Sequence, residues 1–203
     1  MYKEYAYHLP DDTWSQSYLM PRLLHMLGKP NGPILDLGCG NGSVARALLG
    51  LGYDVYGVDA SEGGISIAEG LSPGRFFVLD LSAGGLPEPL TKIAFKTVIS
   101  TEVIEHLYDP RGFIDFAHRI LGPGGALIIS TPYHGYLKNL VLALLGRMDA
   151  HFTVLWDGGH IKFFSRRTMY QMLKEQGFTV HRFVGAGRLP FLWKSMLIKA
   201  KAN

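Results

Sequence analysis

Strand-like and helix-like patterns alternate at least four times along this chain, and that alternation limits the fold more than any other feature. Short apolar runs, among them residues 33–38 and 53–59, predict strands, and each is followed by residues with helical spacing. Helices that connect parallel strands must pack on the faces of the resulting sheet. The sequence therefore predicts an α/β fold with a doubly wound, mostly parallel seven-stranded sheet that binds its ligands at the carboxyl ends of the strands.

The chain of 203 residues contains no linker-like stretch and no internal repeat, so we expect a single domain over residues 1–203. Residues 1–30 are expected to form an N-terminal helical segment in which Pro21 starts or kinks the helix. Between residues 133 and 162 the alternation stops, and an apolar helical pattern is followed by glycine, histidine and aromatic residues. Insertions of this length commonly cover substrate sites, so residues 133–162 are predicted to form an inserted helical lid or substrate wall after strand five.

Composition and cysteine usage favour a cytoplasmic protein. Hydrophobic residues make up 47% of the chain and charged residues 18%, which is ordinary for a globular protein. The single cysteine, Cys39, leaves no internal disulfide framework, and the N-terminal residues lack the apolar core of a signal peptide. The longest apolar run begins at Leu140 and is far shorter than the ~18 residues that a membrane-spanning helix needs.

A glycine-rich turn, ILDLGCGNGS at residues 34–43, carries a carboxylate, Asp36, before its first glycine. Dinucleotide-binding loops follow the pattern G-x-G-x-x-G, but Ser43 stands where the third glycine would be. A carboxylate beside a pyrophosphate would repel it, whereas the same carboxylate would attract a cation. S-adenosylmethionine carries a sulfonium, an ammonium and no phosphate, and the helix N-terminus after Gly42 can receive its carboxylate. Asp36 therefore favours S-adenosylmethionine over a dinucleotide as the cofactor.

The chain resembles the class I S-adenosylmethionine-dependent methyltransferases over roughly residues 35–177. The resemblance rests on LDLGCGNG, on Asp59 and Asp80 at the ends of predicted strands two and three, and on STEVIEHLYDP after strand four. It implies a Rossmann-like fold in which Asp59 binds the ribose hydroxyls and Asp80, helped by Leu81, binds the adenine amino group. The cofactor-binding residues implied by the resemblance are Asp36, Gly38, Cys39, Gly40, Asn41, Gly42, Asp59, Ala60, Asp80, Leu81, Thr101 and Glu102.

The segment STEVIEHLYDP is most similar to that of the ubiquinone-biosynthesis O-methyltransferases and their small-molecule relatives. The chain lacks the D/N-P-P-Y/F segment of amino-group nucleic-acid methylases, and it has no second cysteine for cytosine C5 methylation. The resemblance thus implies O-methylation of a small-molecule acceptor and argues against nucleic acid. Two alternatives stay open: an RNA- or protein-modifying methyltransferase that uses the basic C-terminal part, and a non-catalytic module that binds S-adenosylmethionine.

Methyl transfer requires alignment of the acceptor and removal of its proton, so catalytic candidates are side chains that can accept a proton. His106, after strand four, and His160, in the insertion, are the candidate bases, and Glu105 is the third catalytic candidate. Either histidine can instead be structural, because the chain contains eight histidines.

A metal site is a further hypothesis for the same segment. Glu102, Glu105 and His106 are spaced i, i+3 and i+4, so one helical turn would bring them to one face. There they could hold a divalent ion that lowers the pKa of an acceptor hydroxyl. The resemblance supports this, because ubiquinone O-methyltransferases are thought to use a metal at the matching Glu-x-x-Glu-His. The alternative is that His106 acts as a base without a metal.

The insertion and the C-terminal part bear on the partner. Apolar residues at helical spacing in the insertion fit core packing, a dimer contact or a wall against an apolar or lipid-linked acceptor. These residues are Leu137, Leu140, Val141, Leu144 and Leu145. From Lys162 onward the chain has nine Lys or Arg and one acid, Glu175, which suits a solvated face or contact with an anionic membrane surface. The expected partner is a small-molecule methyl acceptor, with peripheral membrane contact as a hypothesis and the oligomeric state left open.

Overall fold

The computed structural model describes residues 15–80, 84–152, 155–156 and 158–203. Its strands are β1 (Ile34–Leu37), β2 (Val55–Asp59), β3 (Phe76–Val78), β4 (Thr97–Thr101), β5 (Ala126–Pro132), β6 (Phe178–Ala186) and β7 (Ser195–Ala202). They form one sheet in the order β3-β2-β1-β4-β5-β7-β6. Strand β7 is antiparallel to both of its neighbours, and the other adjacent pairs are parallel. The predicted mostly parallel, seven-stranded sheet is confirmed.

The helices cover both faces of this sheet. They are α1 (Gln16–Leu27), α2 (Ser43–Gly50), α3 (Glu62–Leu71), α4 (Glu88–Thr91), α5 (Pro110–Leu121), α6 (Tyr136–Leu144), α7 (Met148–Phe152) and α8 (Arg166–Glu175). Successive strand residues point to opposite faces, so Ile34 packs in the core beneath α1, α2 and α3, and Leu35 in the core beneath α5 and α8. This double burial explains why the strands read as continuous apolar runs.

Helix α1 begins at Gln16, so Pro21 lies inside the helix, and of its two predicted roles the one of starting the helix is wrong. The buried side chains of Leu19, Leu23 and Met26 lie on one face, and Pro21 is exposed. Burying three such side chains contributes on the order of 1.5–3 kcal/mol each, which outweighs the ~3 kcal/mol that an interior proline costs. Residues 1–14 of the predicted N-terminal helical segment lie outside the described residues.

Strand β3 ends at Val78 and not at Asp80, as predicted. The last hydrogen bond between this part of the chain and β2 is the one that the Leu79 N–H donates to the Asp59 carbonyl at 2.8 Å. The Asp80 residue is exposed one position further on, and Leu81 lies outside the described residues.

The insertion after β5 contains two helices where one continuous helix was predicted. The chain leaves α6 near Gly146, whose φ of +62° lies in the left-handed region and interrupts helical hydrogen bonding. The end of the insertion returns to the sheet, where the N–H groups of Ile161 and Lys162 donate to the Glu105 carbonyl at 2.9 and 3.0 Å.

Helix α6 turns its apolar side chains outward. Tyr136 is 84% exposed and Leu144 is 77% exposed, with Leu137, Leu140 and Leu145 also exposed. Among the described residues of α6, Lys138 is the one buried side chain. The prediction that these apolar residues pack in the core is therefore wrong for most of them. No helix in the described part of the chain has the length and apolar content to cross a lipid bilayer.

Candidate active site

The glycine loop joins β1 to α2 at the carboxyl end of the sheet. Asp36, in β1, is 1% exposed, and neither of its carboxyl oxygens has a hydrogen-bond partner among the described residues. Burial raises the pKa of Asp36 to about 8, and the charge of Asp59 also raises it. A buried carboxyl without a donor is costly, so its partner is expected from outside the chain. The ammonium group of S-adenosylmethionine supplies both donors and the opposite charge, so Asp36 fits this cofactor.

The loop glycines let the backbone pack where no side chain would fit. Gly38 has φ +81°, and a Cβ there would lie 2.6 Å from Cγ2 of Val103. Gly42 has φ +73°, and a Cβ there would lie 2.7 Å from the Cβ of Ala68. Gly40 also has a positive φ, of 56°. Glycine at these positions therefore lets the turn between β1 and α2 pack tightly against the neighbouring side chains.

Cys39 and Asn41 are buried parts of the same loop. Burial raises the pKa of the Cys39 thiol, with further contributions from Asp36 and Asp59, so the thiol stays protonated. The Asn41 Oδ1 accepts from the N–H of Ser43 at 3.2 Å. Both side chains therefore shape the loop from within.

Asp59 joins the glycine loop to the start of α3. Its Oδ2 accepts from the Gly40 N–H and its Oδ1 from the Ser61 N–H, each at 2.8 Å. Burial raises the pKa of Asp59, and these backbone bonds oppose that rise. Each carboxylate oxygen keeps a lone pair, so this side chain can still accept from a diol. Neighbouring Ala60 is exposed, as Asp80 is.

Thr101 ends β4, and Glu102 follows it with a left-handed φ of 55°. Such a conformation is strained for glutamate, and strain of this kind often marks a functional site. The Glu102 carboxylate accepts from the Oγ of Ser130 at 2.7 Å and from the Oγ of Ser195 at 3.0 Å. Ser195 also lies 3.4 Å from the hydroxyl of Tyr18, so helix α1 reaches this network. Burial raises the pKa of Glu102 to about 7.

Glu105, His106 and His160 come together, whereas Glu102 does not join them as predicted. Residues Ile104–His106 form a 3-10 turn after β4, and one ligand atom from each of Glu105, His106 and His160 lies within 4.8 Å of the others. The prediction that Glu102, Glu105 and His106 share one helical face is wrong. Glu102 precedes the 3-10 turn and has a left-handed backbone conformation, so its carboxylate points to Ser130 in β5 and Ser195 in β7. We call Glu105, His106 and His160 the carboxylate–imidazole cluster.

Within this cluster, burial shifts the pKa of each group toward its uncharged form. Burial lowers the pKa of His106, and burial together with the charge of His106 lowers that of His160 to about 4. Burial raises the pKa of Glu105 well above its usual range, and the charge of Glu102 adds to the rise. The His106 Nδ1 lies 3.3 Å from the Gly159 carbonyl, which can only accept, so Nε2 is the basic nitrogen.

Three further polar side chains lie beside this cluster and were not among the predicted site residues, although the position of His134 after a strand end could have indicated one of them. His134 follows β5 by two residues, Lys138 lies in α6, and His151 lies in α7. The His134 and His151 ring centroids are 5.4 Å apart. Burial lowers the pKa of His134 to about 3 and that of Lys138 to about 8.

A cavity of about 510 Å³ lies at the opposite edge of the sheet, among residues that begin β1, β4 and β5. Lys29, Lys96, Arg119 and Lys199 line it, and none of the predicted site residues does. The candidate active site is therefore the carboxyl edge and not this cavity.

The sheet order, with its reversal between β1 and β4, and a carboxyl at the glycine loop with no donor among the described residues fit the fold of the class I S-adenosylmethionine-dependent methyltransferases. A sequence comparison agrees, since the model of the methyltransferase domain family matches residues 12–182. The chain belongs to this family.

Curated relatives include two ubiquinone biosynthesis O-methyltransferases. That of Ruegeria pomeroyi is 31% identical over 151 residues, covering 71% of this chain and 58% of the relative. The mitochondrial protein of Homo sapiens is 30% identical over 176 residues, covering 82% of this chain and 47% of the relative. The matched region thus spans about half the length of these relatives.

Solved structures share the fold at lower identity. The magnesium protoporphyrin IX methyltransferase of Synechocystis with bound S-adenosylhomocysteine (SAH) superposes with a TM-score of 0.65 at 22% identity. The superposition covers 91% of this chain and 80% of that one.

Proposed function

We propose that this chain transfers a methyl group from S-adenosylmethionine to a hydroxyl oxygen of a small, largely apolar acceptor. The observation that carries the cofactor assignment is the buried carboxyl of Asp36, which has no hydrogen-bond donor in the part of the chain that the structure describes. The acceptor class is supported by the similarity of the chain to ubiquinone biosynthesis O-methyltransferases. The carboxylate–imidazole cluster supplies a neutral base beside the cofactor site.

Bound S-adenosylmethionine would supply an electrophilic methyl group. Asp36 would accept from its ammonium group, and Asp59, held by the N–H groups of Gly40 and Ser61, would accept from its ribose hydroxyls. His106 would take the acceptor's hydroxyl proton at Nε2, with Nδ1 held by the Gly159 carbonyl. Glu105, whose Oε2 accepts from the Thr131 hydroxyl at 3.0 Å, would lie beside the two imidazoles and would not serve as the base, because burial raises its pKa and favours its protonated form.

The exposed apolar residues of α6 support an acceptor with substantial nonpolar surface and contact with a membrane. Leu155 and Trp156, which follow α7, are also exposed and extend the apolar surface. Nearby cations, Arg147 and Arg188, are exposed as well and suit anionic headgroups. An enzyme whose acceptor is lipid-linked would meet that acceptor at such a surface.

The alternative mechanism uses a divalent metal, which would lower the pKa of the acceptor's hydroxyl, in place of a histidine base. One carboxylate and two imidazoles are a donor set that suits zinc or iron better than magnesium. Glu105 Oε1 has no hydrogen-bond partner among the described residues, so it is available to a metal. Metal binding would require Glu105 to lose its proton, which its buried position opposes.

Calorimetric titration with Zn²⁺ and activity after exhaustive chelation separate these two mechanisms. The metal-free base predicts full activity in chelator and loss of activity in His106→Gln. The metal alternative predicts Zn²⁺ binding that disappears in Glu105→Gln, together with activity that returns only when metal is restored.

The proposed reaction is tested with methyl-labelled S-adenosylmethionine and a panel of acceptors. Catechols with alkyl chains of increasing length should be methylated, with KM falling as the chain lengthens, because more apolar surface is buried. Total RNA and a protein extract serve as competing acceptors. Label that enters RNA or protein in preference to the catechols would support the macromolecular alternative. Cofactor binding without transfer to any acceptor would support a non-catalytic module.

A further inference from the structure

Lys138 is an unusual residue to find buried, because it lies in a helix whose leucines face solvent. It is 3% exposed, and its Nζ donates to the Tyr133 carbonyl at 2.8 Å and to the Lys194 carbonyl at 3.4 Å. An ammonium has three N–H donors, so one remains without an acceptor among the described residues. No carboxylate of the described chain lies within 4.0 Å of Nζ. Buried lysines are normally paired with an acid.

The acid whose charge reaches this cation forms no direct ion pair with it. The charge of Glu102 raises the pKa of Lys138, but the Glu102 carboxylate oxygens accept from the hydroxyls of Ser130 and Ser195 and no carboxylate of the described residues contacts Nζ directly. Burial and the charge of Arg188 act in the opposite direction, and the pKa of Lys138 falls to about 8. An anion beside Nζ would therefore stabilise the charged lysine.

Unsatisfied polar atoms surround the same place. His134 is 7% exposed, and its ring nitrogens make no hydrogen bond of good geometry among the described residues. The side chain of Asn139 lies close enough to oppose the fall in the His134 pKa, and the Nε2 of His151 has no partner among the described residues. The rings of Phe152 and Phe163 lie 5.8 and 5.0 Å from the His134 ring, so an apolar rim borders these polar atoms. Several unsatisfied groups in one buried place indicate a missing ligand.

We propose that Lys138, His134 and His151 form a subsite that binds an oxyanion group, a carboxylate or a phosphate, carried by the methyl acceptor. The Lys138 ammonium would supply the charge and its third N–H, and each neutral imidazole would supply one N–H. The phenylalanine rim would contact the ring or chain that carries the group. Because His134 also lies near His160, this subsite adjoins the carboxylate–imidazole cluster. The inference rests on the proposed function, since it takes the ligand to be the methyl acceptor.

The test measures the binding of three small probes to the full chain saturated with SAH. Benzoate and phenyl phosphate carry the oxyanion, and benzyl alcohol is the neutral probe of similar size. Wild type should bind one of the anions at least about tenfold more tightly than benzyl alcohol, the effect of one charge-assisted hydrogen bond. The tighter of the two anions identifies the group as a carboxylate or a phosphate. Equal affinity for all three probes would overturn the proposal without any variant.

Variants then assign the preference to the named residues. Lys138→Met and His134→Phe should each lose the preference for the anion, whereas Lys138→Arg should keep most of it. Lys174→Met, an exposed lysine of α8, is the matched control and should behave as wild type. Unchanged SAH affinity in each variant reports an intact fold. An anion preference that survives in both Lys138→Met and His134→Phe would contradict the assignment.

This experiment separates the subsite from the reaction. Selective anion binding without methyl transfer to any phenol would leave the subsite standing and remove the proposed reaction. Methyl transfer to neutral catechols without selective anion binding would support the proposed reaction and overturn the subsite.

Discussion

At the scale of one residue, Asp36 is expected to affect both the affinity for the cofactor and the stability of the ligand-free chain. Its pKa is raised to about 8 in the folded chain, against ~3.9 for an unperturbed aspartate. A carboxyl with a raised folded pKa contributes stability that is present below its unfolded pKa and is lost as pH rises through the folded pKa. The ligand-free chain should therefore lose stability between about pH 4 and pH 8 through this group.

Asp36→Asn should remove that loss and weaken cofactor binding. We expect the variant to have a higher Tm than wild type near pH 9, where wild type buries a charge, and a similar Tm near pH 4. Its affinity for SAH should fall by ~1.5–3 kcal/mol, the range of a charged hydrogen bond. Thermal scans across pH and calorimetric titration measure the two effects. Asp115→Asn, on an exposed acid, is the control, and a pH-independent difference in Tm would contradict the role of the buried charge.

His106 makes a second prediction at this scale. His106→Gln should lower kcat by at least ~100-fold while SAH affinity stays unchanged, because the base and not the cofactor site is lost. His181→Gln changes an exposed histidine of β6 and should be neutral. Since burial lowers the pKa of His106, the base stays unprotonated to lower pH, and kcat should fall only below ~pH 6.5. An acid limb above that pH would argue against His106 as the base.

At the scale of elements, we predict that the insertion moves relative to the sheet. Its helices α6 and α7 contact each other and expose most of their apolar side chains, so little burial holds them to the sheet. We expect amide hydrogen exchange in residues 136–152 to be faster than in β1, β4 and β5, and to slow when SAH and an acceptor are both bound. Exchange that is equally slow in the insertion and in the strands without ligand would argue against a lid.

The outward leucines of α6 predict membrane contact by the same element. A Leu140→Gln, Leu144→Gln double variant should bind anionic vesicles more weakly than wild type in a sedimentation assay, because the apolar contact is lost. Leu71→Gln changes an exposed leucine of α3 and is the matched control. If the double variant instead loses self-association and binds vesicles as wild type does, α6 is a dimer contact.

At the level of elements, the sequence predicted what local patterns determine and missed what distant contacts determine. Buried strands such as β1 and β4 read directly as apolar runs, and Ser61 caps α3 by accepting from the Gly64 N–H at 3.1 Å. The direction of the Glu102 carboxylate was not predictable, because it depends on a left-handed backbone and on Ser195, 93 residues away. Residues spaced i, i+3 and i+4 share a face only within a continuous helix, and the left-handed Glu102 lies outside the helical turn that follows it.

At the scale of the whole molecule, the sheet brings together groups from both halves of the chain. The carboxyl edge collects Asp36 and Asp59 on one side of the switch between β1 and β4, and the carboxylate–imidazole cluster on the other. The sequence predicted this edge because parallel strands end together. The position of His134 just after β5 was a signal for this edge, whereas the burial of Lys138 in an otherwise outward-facing helix follows from tertiary packing and could not be predicted.

The most direct test of this account is a calorimetric titration of the purified chain with S-adenosylmethionine and, separately, with NAD. The account predicts micromolar-range binding of S-adenosylmethionine, weakened by ~1–3 kcal/mol in Asp59→Ala, and no binding of NAD. Binding of NAD without binding of S-adenosylmethionine would contradict it, because the buried Asp36 would then tolerate a pyrophosphate.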